Sequence, residues 1–318
     1  MIGIVPARLD ENVHQVSRPF DRIKATGGLP SPSAVAQELL RLVSDESSSV
    51  ADIATVVEKD PSAAACLLKL VNSPLSGVTR KIGSIPQAIT LLGFQTVAST
   101  VIGQSLISRC PKGPCDAFDY DAFWSGSVGA GAAARHIAHR LKHMAPDEAF
   151  TCGLFCQVGR LAFATAYPRS YAFAITEAGA DDPARLRRIE REMFQLDQND
   201  LAAEMMGDWQ LPTIFCDAVR YLNMVDNENL DLGPRVRLIA RTLDLALFIS
   251  HILLRPVASK VAVSDTINRA NRLGLRPDAF AGVFDSIAGE WRSMASIFGV
   301  SARRVLPFAE ILTRGLRT

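Results

Sequence analysis

The chain has 318 residues, 48% of them hydrophobic, so it is long enough to bury one large core or two medium ones. Its 34 lysines and arginines nearly balance its 33 aspartates and glutamates. The resulting formal net charge of +1 lacks the broad positive field of a non-specific nucleic-acid binder.

No segment of the sequence favours secretion or a membrane. The apolar start, residues 1–5, is followed by Pro6 and Arg8 and is too short for a secretory signal. The longest apolar stretch, residues 238–254, contains an arginine, an aspartate and a histidine, which is typical of a buried helix. The six cysteines are scattered without a CxxC pair, as expected for reduced thiols packed among apolar neighbours. We therefore expect a cytoplasmic protein with no membrane partner.

Residues 1–28 show no helical period and end at two glycines, so we interpret residues 1–20 as an N-terminal arm. From Leu29 onward, apolar residues recur at helical spacing. The predicted helices of the first part cover residues 33–43, 50–59, 61–72, 84–92 and 94–107.

Two helix starts in this part have recognisable capping chemistry. Asp60 precedes Pro61, and this order favours a helix start because aspartate caps free N–H groups and proline is preset for the first turn. Residues 84–87, Ser-Ile-Pro-Gln, resemble a capping box.

The proline- and glycine-containing loop at residues 110–116 is the clearest internal boundary, and residues 226–233 form a polar linker. Asp121 is the predicted cap of a long helix that is rich in small residues. The predicted helices after the loop cover residues 121–142, 146–166, 167–178, 182–194, 197–207, 212–222, 234–254, 264–273, 278–298 and 301–316. No convincing run has the period of a strand, so we predict an all-α fold.

Several stretches, taken together in their order and spacing, resemble the HDOD family, signalling relatives of the HD metal-dependent phosphohydrolases. The matching stretches are Leu29-Pro30-Ser31-Pro32, Asp60-Pro61, residues 67–73, residues 82–85, residues 87–93, Phe123-Trp124, Gly153-Leu154, Gly159-Arg160-Leu161, Glu192 and Trp209-Gln210-Leu211-Pro212. The resemblance covers residues 21–223. It implies a multi-helix fold in which an N-terminal bundle, residues 29–109, packs on a degenerate HD-like bundle, residues 121–223. Residues 226–318 are then a C-terminal helical extension.

HD enzymes hold a divalent metal with histidine and aspartate side chains, and the metal activates water against a phosphate ester. In this chain, Cys156 and Gln157 occupy the positions of the family's His-Asp pair. The other ligand positions that the resemblance implies fall at Gly126, Gln198, Leu222 and Asn223. Glycine and leucine offer no side-chain donor, and one cysteine alone cannot hold a metal. We therefore expect no catalytic residue, no metal and no cofactor.

The resemblance implies a bacterial regulatory protein that acts in signal transduction as a protein-interaction or scaffold module, without enzymatic activity. The settings it suggests are cyclic-di-nucleotide signalling, motility and stress regulation, and the expected partner is another signalling protein. The alternative is a sensor, in which the polar remains of the metal cleft accept a small molecule or nucleotide without hydrolysing it. An open cleft favours the sensor, whereas a filled, apolar cleft favours the scaffold.

Other polar patterns favour structural interpretations. His136, His139 and His143 lie on one predicted helix among basic residues, which is typical of a solvated helix end. The arginines of residues 185–191 are interleaved with glutamates, which is typical of a solvated face. The sequence contains no basic recognition helix, so we expect no nucleic-acid partner.

Overall fold

The computed structural model describes residues 18–179, 182–227, 229–255 and 259–315, and within these ranges all regular structure is helical. The all-α prediction is therefore confirmed. Most of the expected N-terminal arm lies outside the described residues, as do the last three positions of the chain.

Seventeen α-helices are present in the described ranges. The first six are α1 (Pro19–Ala25), α2 (Ala34–Val43), α3 (Val50–Val57), α4 (Pro61–Val71), α5 (Ile85–Leu92) and α6 (Phe94–Arg109). The next seven are α7 (Tyr120–Leu141), α8 (Pro146–Phe155), α9 (Val158–Ala166), α10 (Pro168–Ala178), α11 (Pro183–Phe194), α12 (Gln198–Asp208) and α13 (Thr213–Arg220). The last four are α14 (Pro234–Leu254), α15 (Lys260–Arg272), α16 (Pro277–Phe298) and α17 (Phe308–Gly315). Short 3-10 turns occur at Pro74–Ser76 and Leu222–Met224.

The start of α4 follows the expected chemistry. The Asp60 carboxylate accepts hydrogen bonds from the backbone N–H groups of Ser62, at 2.9 Å, and Ala63, at 3.1 Å. The start of α5 does not, because the Ser84 side chain makes no capping bond and the expected capping box is absent. Pro86 lies in the first turn and has no N–H to donate, which removes one of the donors that a cap uses.

The centre of the protein is α7, which packs against α8, α14 and α16. Small residues let the neighbouring backbones approach closely. A side chain at Gly153 of α8 would lie 2.6 Å from the carbonyl oxygen of Ala130, and one at Gly131 would lie 3.0 Å from the ring of Phe150. The small residues of α7 therefore determine how closely α8 can pack.

The N-terminal helices α2 to α6 form a bundle that joins the same core. Leu39, Ile53, Leu67 and Ile89 are fully buried between these helices. Helix α6 connects the bundle to the rest of the protein, because α8 and α16 both pack on it.

The predicted helix at residues 146–166 is wrong in one respect, since it is two helices with a break at Cys156 and Gln157. Helix α8 packs mainly on α7, whereas α9 packs on α12. The two halves therefore contact different helices, and the break between them includes the polar residue Gln157.

Other boundaries also differ from the sequence-based expectations. Residues 19–25 form α1, which buries Phe20 and Ile23, where the sequence predicted no periodic structure. Helix α7 is capped by Asp119 instead of Asp121, since the Asp119 carboxylate accepts the N–H of Ala122 at 2.9 Å. Helix α17 begins only at Phe308, because residues 301–307 are not helical.

Within the described ranges, the run Pro146–Ala166 has the length and hydropathy of a membrane span, yet 78% of its most apolar window is buried inside the protein. Helices α5 and α6 pass the same test only as a pair bent by 113°. Burial of this kind is typical of core helices.

Candidate functional site

Gly126 lies on α7, facing the C-terminal helix α14. A side chain at this position would meet Leu254 at 3.1 Å and the hydroxyl of Ser250 at 3.4 Å. The Ser250 hydroxyl also donates a hydrogen bond to the Gly126 carbonyl oxygen, at 2.7 Å. Side chains of α14 therefore occupy the space beside this position.

Cys156 and Gln157 lie at the junction between α8 and α9. The Cys156 side chain is 1% exposed, and its thiol donates to the carbonyl oxygen of Gly153 at 3.2 Å. Burial raises the pKa of this thiol to about 12, so it stays protonated at neutral pH. Gln157 is half-buried, and its backbone carbonyl accepts the N–H of Arg160 at the first turn of α9.

Gln198, Leu222 and Asn223 lie near the start of α12. Gln198 is its first residue, and its buried side-chain oxygen has no hydrogen-bond partner among the described residues. Leu222 is buried in the apolar core. Asn223 is exposed, and its side-chain oxygen accepts a hydrogen bond from the amide of Asn199 at 2.8 Å.

The six positions implied by the resemblance thus have different surroundings. Asn223 is linked to the start of α12 through Asn199, whereas Gly126 contacts α14 and Cys156 bonds within its own helix. Among the residues that the structure describes, no group of three or more histidine, cysteine, aspartate or glutamate side chains could hold a metal ion. The donors present at these positions do not fit a divalent metal.

A buried carboxylate lies directly beneath the start of α12. Glu190 of α11 is fully buried, and it accepts hydrogen bonds from the Tyr171 hydroxyl at 3.2 Å and the Gln198 backbone N–H at 2.9 Å. Burial is the largest cause of its altered acidity and raises the pKa of Glu190 to about 7. Glu190 therefore titrates near neutral pH, which the sequence pattern did not indicate.

The same end of α11 borders an open cavity of about 450 Å³, which we call the arginine groove. It is lined by Ala184, Arg187, Arg188, Arg191, Glu192, Asp197, Asn199, Asn223 and Met224. The sequence predicted a fully solvated face for residues 185–191. That prediction is wrong for Glu190, which turns into the core, and for Arg187, which is half-buried at the groove.

His136 of α7 and His143, which follows the end of that helix, have structural contacts. His136 lies 2.7 Å from a carboxylate oxygen of Glu290 in α16, and Arg135 contacts the other oxygen of the same carboxylate at 2.7 Å. His143 lies 3.0 Å from the hydroxyl of Thr242 in α14. Both interactions connect α7 to the C-terminal helices.

Comparison with known proteins gives a consistent result. Residues 29–225 match the family model described as the HDOD domain. The MmoQ response regulator from Methylococcus capsulatus str. Bath is 32% identical, with a TM-score of 0.50 over 81% of this chain and 98% of that one. An HDOD domain protein of unknown function from Geobacter sulfurreducens shares the fold, with a TM-score of 0.66 at 18% identity over 87% of this chain and 97% of that one.

Among curated sequences, an uncharacterized protein of Treponema pallidum (strain Nichols) is 22% identical over 221 residues. The match covers 69% of this chain and only 42% of that relative. The chain therefore spans less than half the length of the curated relative that it matches.

Proposed function

Because the chain belongs to the HDOD domain family, we propose that it is a signal-transduction protein that acts by binding a partner protein and has no enzymatic activity. The family match and the similarity to a response regulator support the signalling role. The absence of catalysis and the partner-binding mode are the parts that need testing.

The observation that carries the proposal is the filling of three of the six HD ligand positions by packing. Cys156 and Leu222 belong to the hydrophobic core, and Gly126 is covered by Ser250 and Leu254 of α14. A hydrolytic metal site needs at least three well-placed donors and an open coordination position. Packed apolar groups supply neither, which favours a scaffold.

The catalytic part can be tested directly. Purified protein is incubated with Mn²⁺, Mg²⁺ or Zn²⁺ and a generic phosphodiester, bis(p-nitrophenyl) phosphate, and its metal content is measured by elemental analysis. We expect no metal-dependent release of p-nitrophenol and no stoichiometric metal. Metal-dependent turnover together with about one metal ion per chain would contradict the proposal.

The partner-binding part calls for a comparison of two exposed apolar side chains. Phe173 of α10 is 60% exposed and lies within the HDOD match, whereas Val261 of α15 is 69% exposed and lies outside it. Tagged wild type, Phe173→Asp and Val261→Asp are used to capture partners in the native host, with quantitative mass spectrometry. If the HDOD domain binds the partner, Phe173→Asp weakens the capture and Val261→Asp does not.

Two outcomes would count against this mode of action. The first is that the wild type enriches no protein above the tag alone. The second is that only Val261→Asp loses the partner, which would place the contact on the C-terminal helices.

A small-molecule or nucleotide sensor is the second candidate. The observation that favours it is the arginine groove of about 450 Å³, a volume within the usual range of ligand sites. Of the six expected cleft positions, Asn223 lines this groove. A sensor would therefore bind its ligand beside the former metal cleft, at the surface of α11.

A further inference from the structure

The arginine groove contains more positive than negative charge. Three guanidinium groups line it, from Arg187, Arg188 and Arg191, against the carboxylates of Glu192 and Asp197. Asp197 is already engaged, because it pairs with Arg191 at 2.9 Å and caps α12. Arg187 and Arg188 are thus left facing the single carboxylate of Glu192, which favours an anionic ligand.

Arg187 is the most informative residue of the groove. It is half-buried, and among the described residues the carboxylates of Asp197 and Glu190 act on its guanidinium through charge alone, without a hydrogen bond. Burial lowers the pKa of Arg187, and the carboxylates of Asp197 and Glu190 offset only part of that cost. A partly desolvated guanidinium without a bonded partner is a vacant site for a planar or tetrahedral oxyanion.

The lining of the groove also includes neutral hydrogen-bonding groups. Asn199 is 4% exposed, and its amide nitrogen donates to the side-chain oxygen of Asn223. Within the described ranges, no second hydrogen bond is formed by the Asn199 side-chain oxygen or the Asn223 amide nitrogen. The pair therefore presents one free acceptor and one free donor, which suits the edge of a nucleobase.

We propose that the arginine groove binds a nucleotide-sized molecule that carries a phosphate group, with the phosphate on Arg187 and Arg188 and the base near Asn199 and Asn223. The excess of about one positive charge suits a monophosphate. The groove volume of about 450 Å³ is large enough for a mononucleotide. This proposal rests on the sensor candidate described above and specifies its ligand class, and it does not depend on partner binding or on the absence of catalysis.

Isothermal titration of the full chain with AMP, GMP, the corresponding nucleosides and inorganic phosphate tests the site. We expect at least one nucleotide to bind, and its nucleoside to bind at least about tenfold more weakly because a charge-assisted phosphate contact is lost. We also expect inorganic phosphate to compete with the nucleotide, because both would bind to Arg187 and Arg188 through the phosphate group.

Arg187→Gln is the test variant and Arg185→Gln its matched control. Arg185 lies on the same helix but pairs with Glu177 outside the groove. We expect Arg187→Gln to weaken nucleotide binding by about tenfold or more and Arg185→Gln to change it by less than about twofold. Thermal melting establishes that both variants are folded.

Three outcomes would overturn the proposal. They are no binding of either nucleotide at about 1 mM, equal binding of nucleotide and nucleoside, and unchanged nucleotide affinity in a folded Arg187→Gln variant. The first would leave the groove as a surface feature, and the others would place any bound nucleotide elsewhere.

Discussion

Gly159 lies where α9 crosses the start of α12, and it allows the two backbones to touch. A Cβ atom there would overlap the carbonyl oxygen of Gln198 and lie 2.9 Å from the backbone nitrogen of Ala202. Both neighbours are backbone atoms of one helix, so neither can move aside alone. We expect Gly159→Ala to lower the free energy of unfolding by more than about 3 kcal/mol, measured by chemical denaturation.

Gly282 provides the control for this prediction. It lies in α16, exposed, and a Cβ atom there would have nothing within 4 Å. Alanine should therefore stabilise the protein by roughly 0.5 to 1 kcal/mol, because it restricts the unfolded chain and favours helix. Similar effects of both substitutions would show that the contact between α9 and α12 is looser than the structure indicates.

Glu190 should make the stability of the protein depend on pH. Burial raises the pKa of this carboxyl from 4.5 to about 7, so the folded state binds the proton more tightly than the unfolded chain. Between about pH 4.5 and 7, unfolding releases that proton. The contribution of Glu190 to the free energy of unfolding therefore falls as pH rises, by at most about 1.4 kcal/mol per pH unit.

The Glu190→Gln variant isolates this contribution. Glutamine keeps an acceptor for the Gln198 N–H but cannot ionise, so we expect it to be more stable than wild type at pH 8 and to lose that part of the slope. Glu192→Gln, at an exposed position two residues away, should keep the wild-type slope. Denaturant titrations between pH 5 and pH 8 are the measurement, and parallel curves for Glu190→Gln and wild type would refute the assignment.

At the scale of single helices, the capping residues give a paired prediction. Asp60 accepts two backbone N–H groups at the start of α4, whereas Ser84 makes no capping bond at α5. We expect Asp60→Ala to cost about 1 kcal/mol of stability and Ser84→Ala to cost less than about 0.3 kcal/mol. Equal costs in urea titrations would mean that the two starts are stabilised by something other than these side chains.

The same helices show how far local sequence determines the fold. The start of α4 could be predicted because Asp60 and Pro61 are local signals that act within one turn. The break at Cys156 and Gln157 could not, because one polar residue among apolar neighbours is not a helix stop signal, and α8 and α9 contact different helices. Helix α1 was missed because only Phe20 and Ile23 face the core, too few to produce a visible period.

The candidate site was predictable to a smaller extent. The family resemblance identified Gly126, Cys156 and Leu222 as positions without a useful donor, and it could not show what fills the space around them. The arginine groove escaped detection because residues 185–191 read as a solvated charged face. Glu190 turns inward because Tyr171 of α10 and the backbone of Gln198 in α12 donate hydrogen bonds to it, and the charge pattern of α11 alone does not reveal these contacts.

At the scale of the whole molecule, the C-terminal helices complete the packing around α7. Trp291 of α16 donates a hydrogen bond to the Ser125 carbonyl oxygen at 2.9 Å, and Ser250 of α14 donates to the next carbonyl, Gly126, at 2.7 Å. Helix α14 also contributes a row of fully buried apolar residues, among them Ile239, Leu245 and Ile249. The domain boundary expected after residue 223 stays a prediction, but the packing does not separate at that point.

This packing implies that residues 29–225 depend on the helices that follow them. A chain ending at residue 225 would expose the face of α7 that α14 and α16 cover. The small residues on α7 cannot replace the apolar contacts that these two helices supply. We expect it to lose the cooperative thermal transition and to bind a hydrophobic dye, as a chain without fixed packing does. Circular dichroism melting and dye fluorescence are the measurements.

Trp291→Phe separates a general loss of packing from the loss of one contact. Phenylalanine keeps most of the buried ring but removes the donor to Ser125, whose carbonyl retains its partner within α7, so the loss should cost about 0.5 to 1.5 kcal/mol. The variant should still unfold cooperatively. If the chain ending at residue 225 instead melts cooperatively within a few degrees of the full-length protein, α14 and α16 only cover a self-sufficient HDOD domain. The packing of α14 against Gly126 would then contribute little to the stability of the HDOD domain.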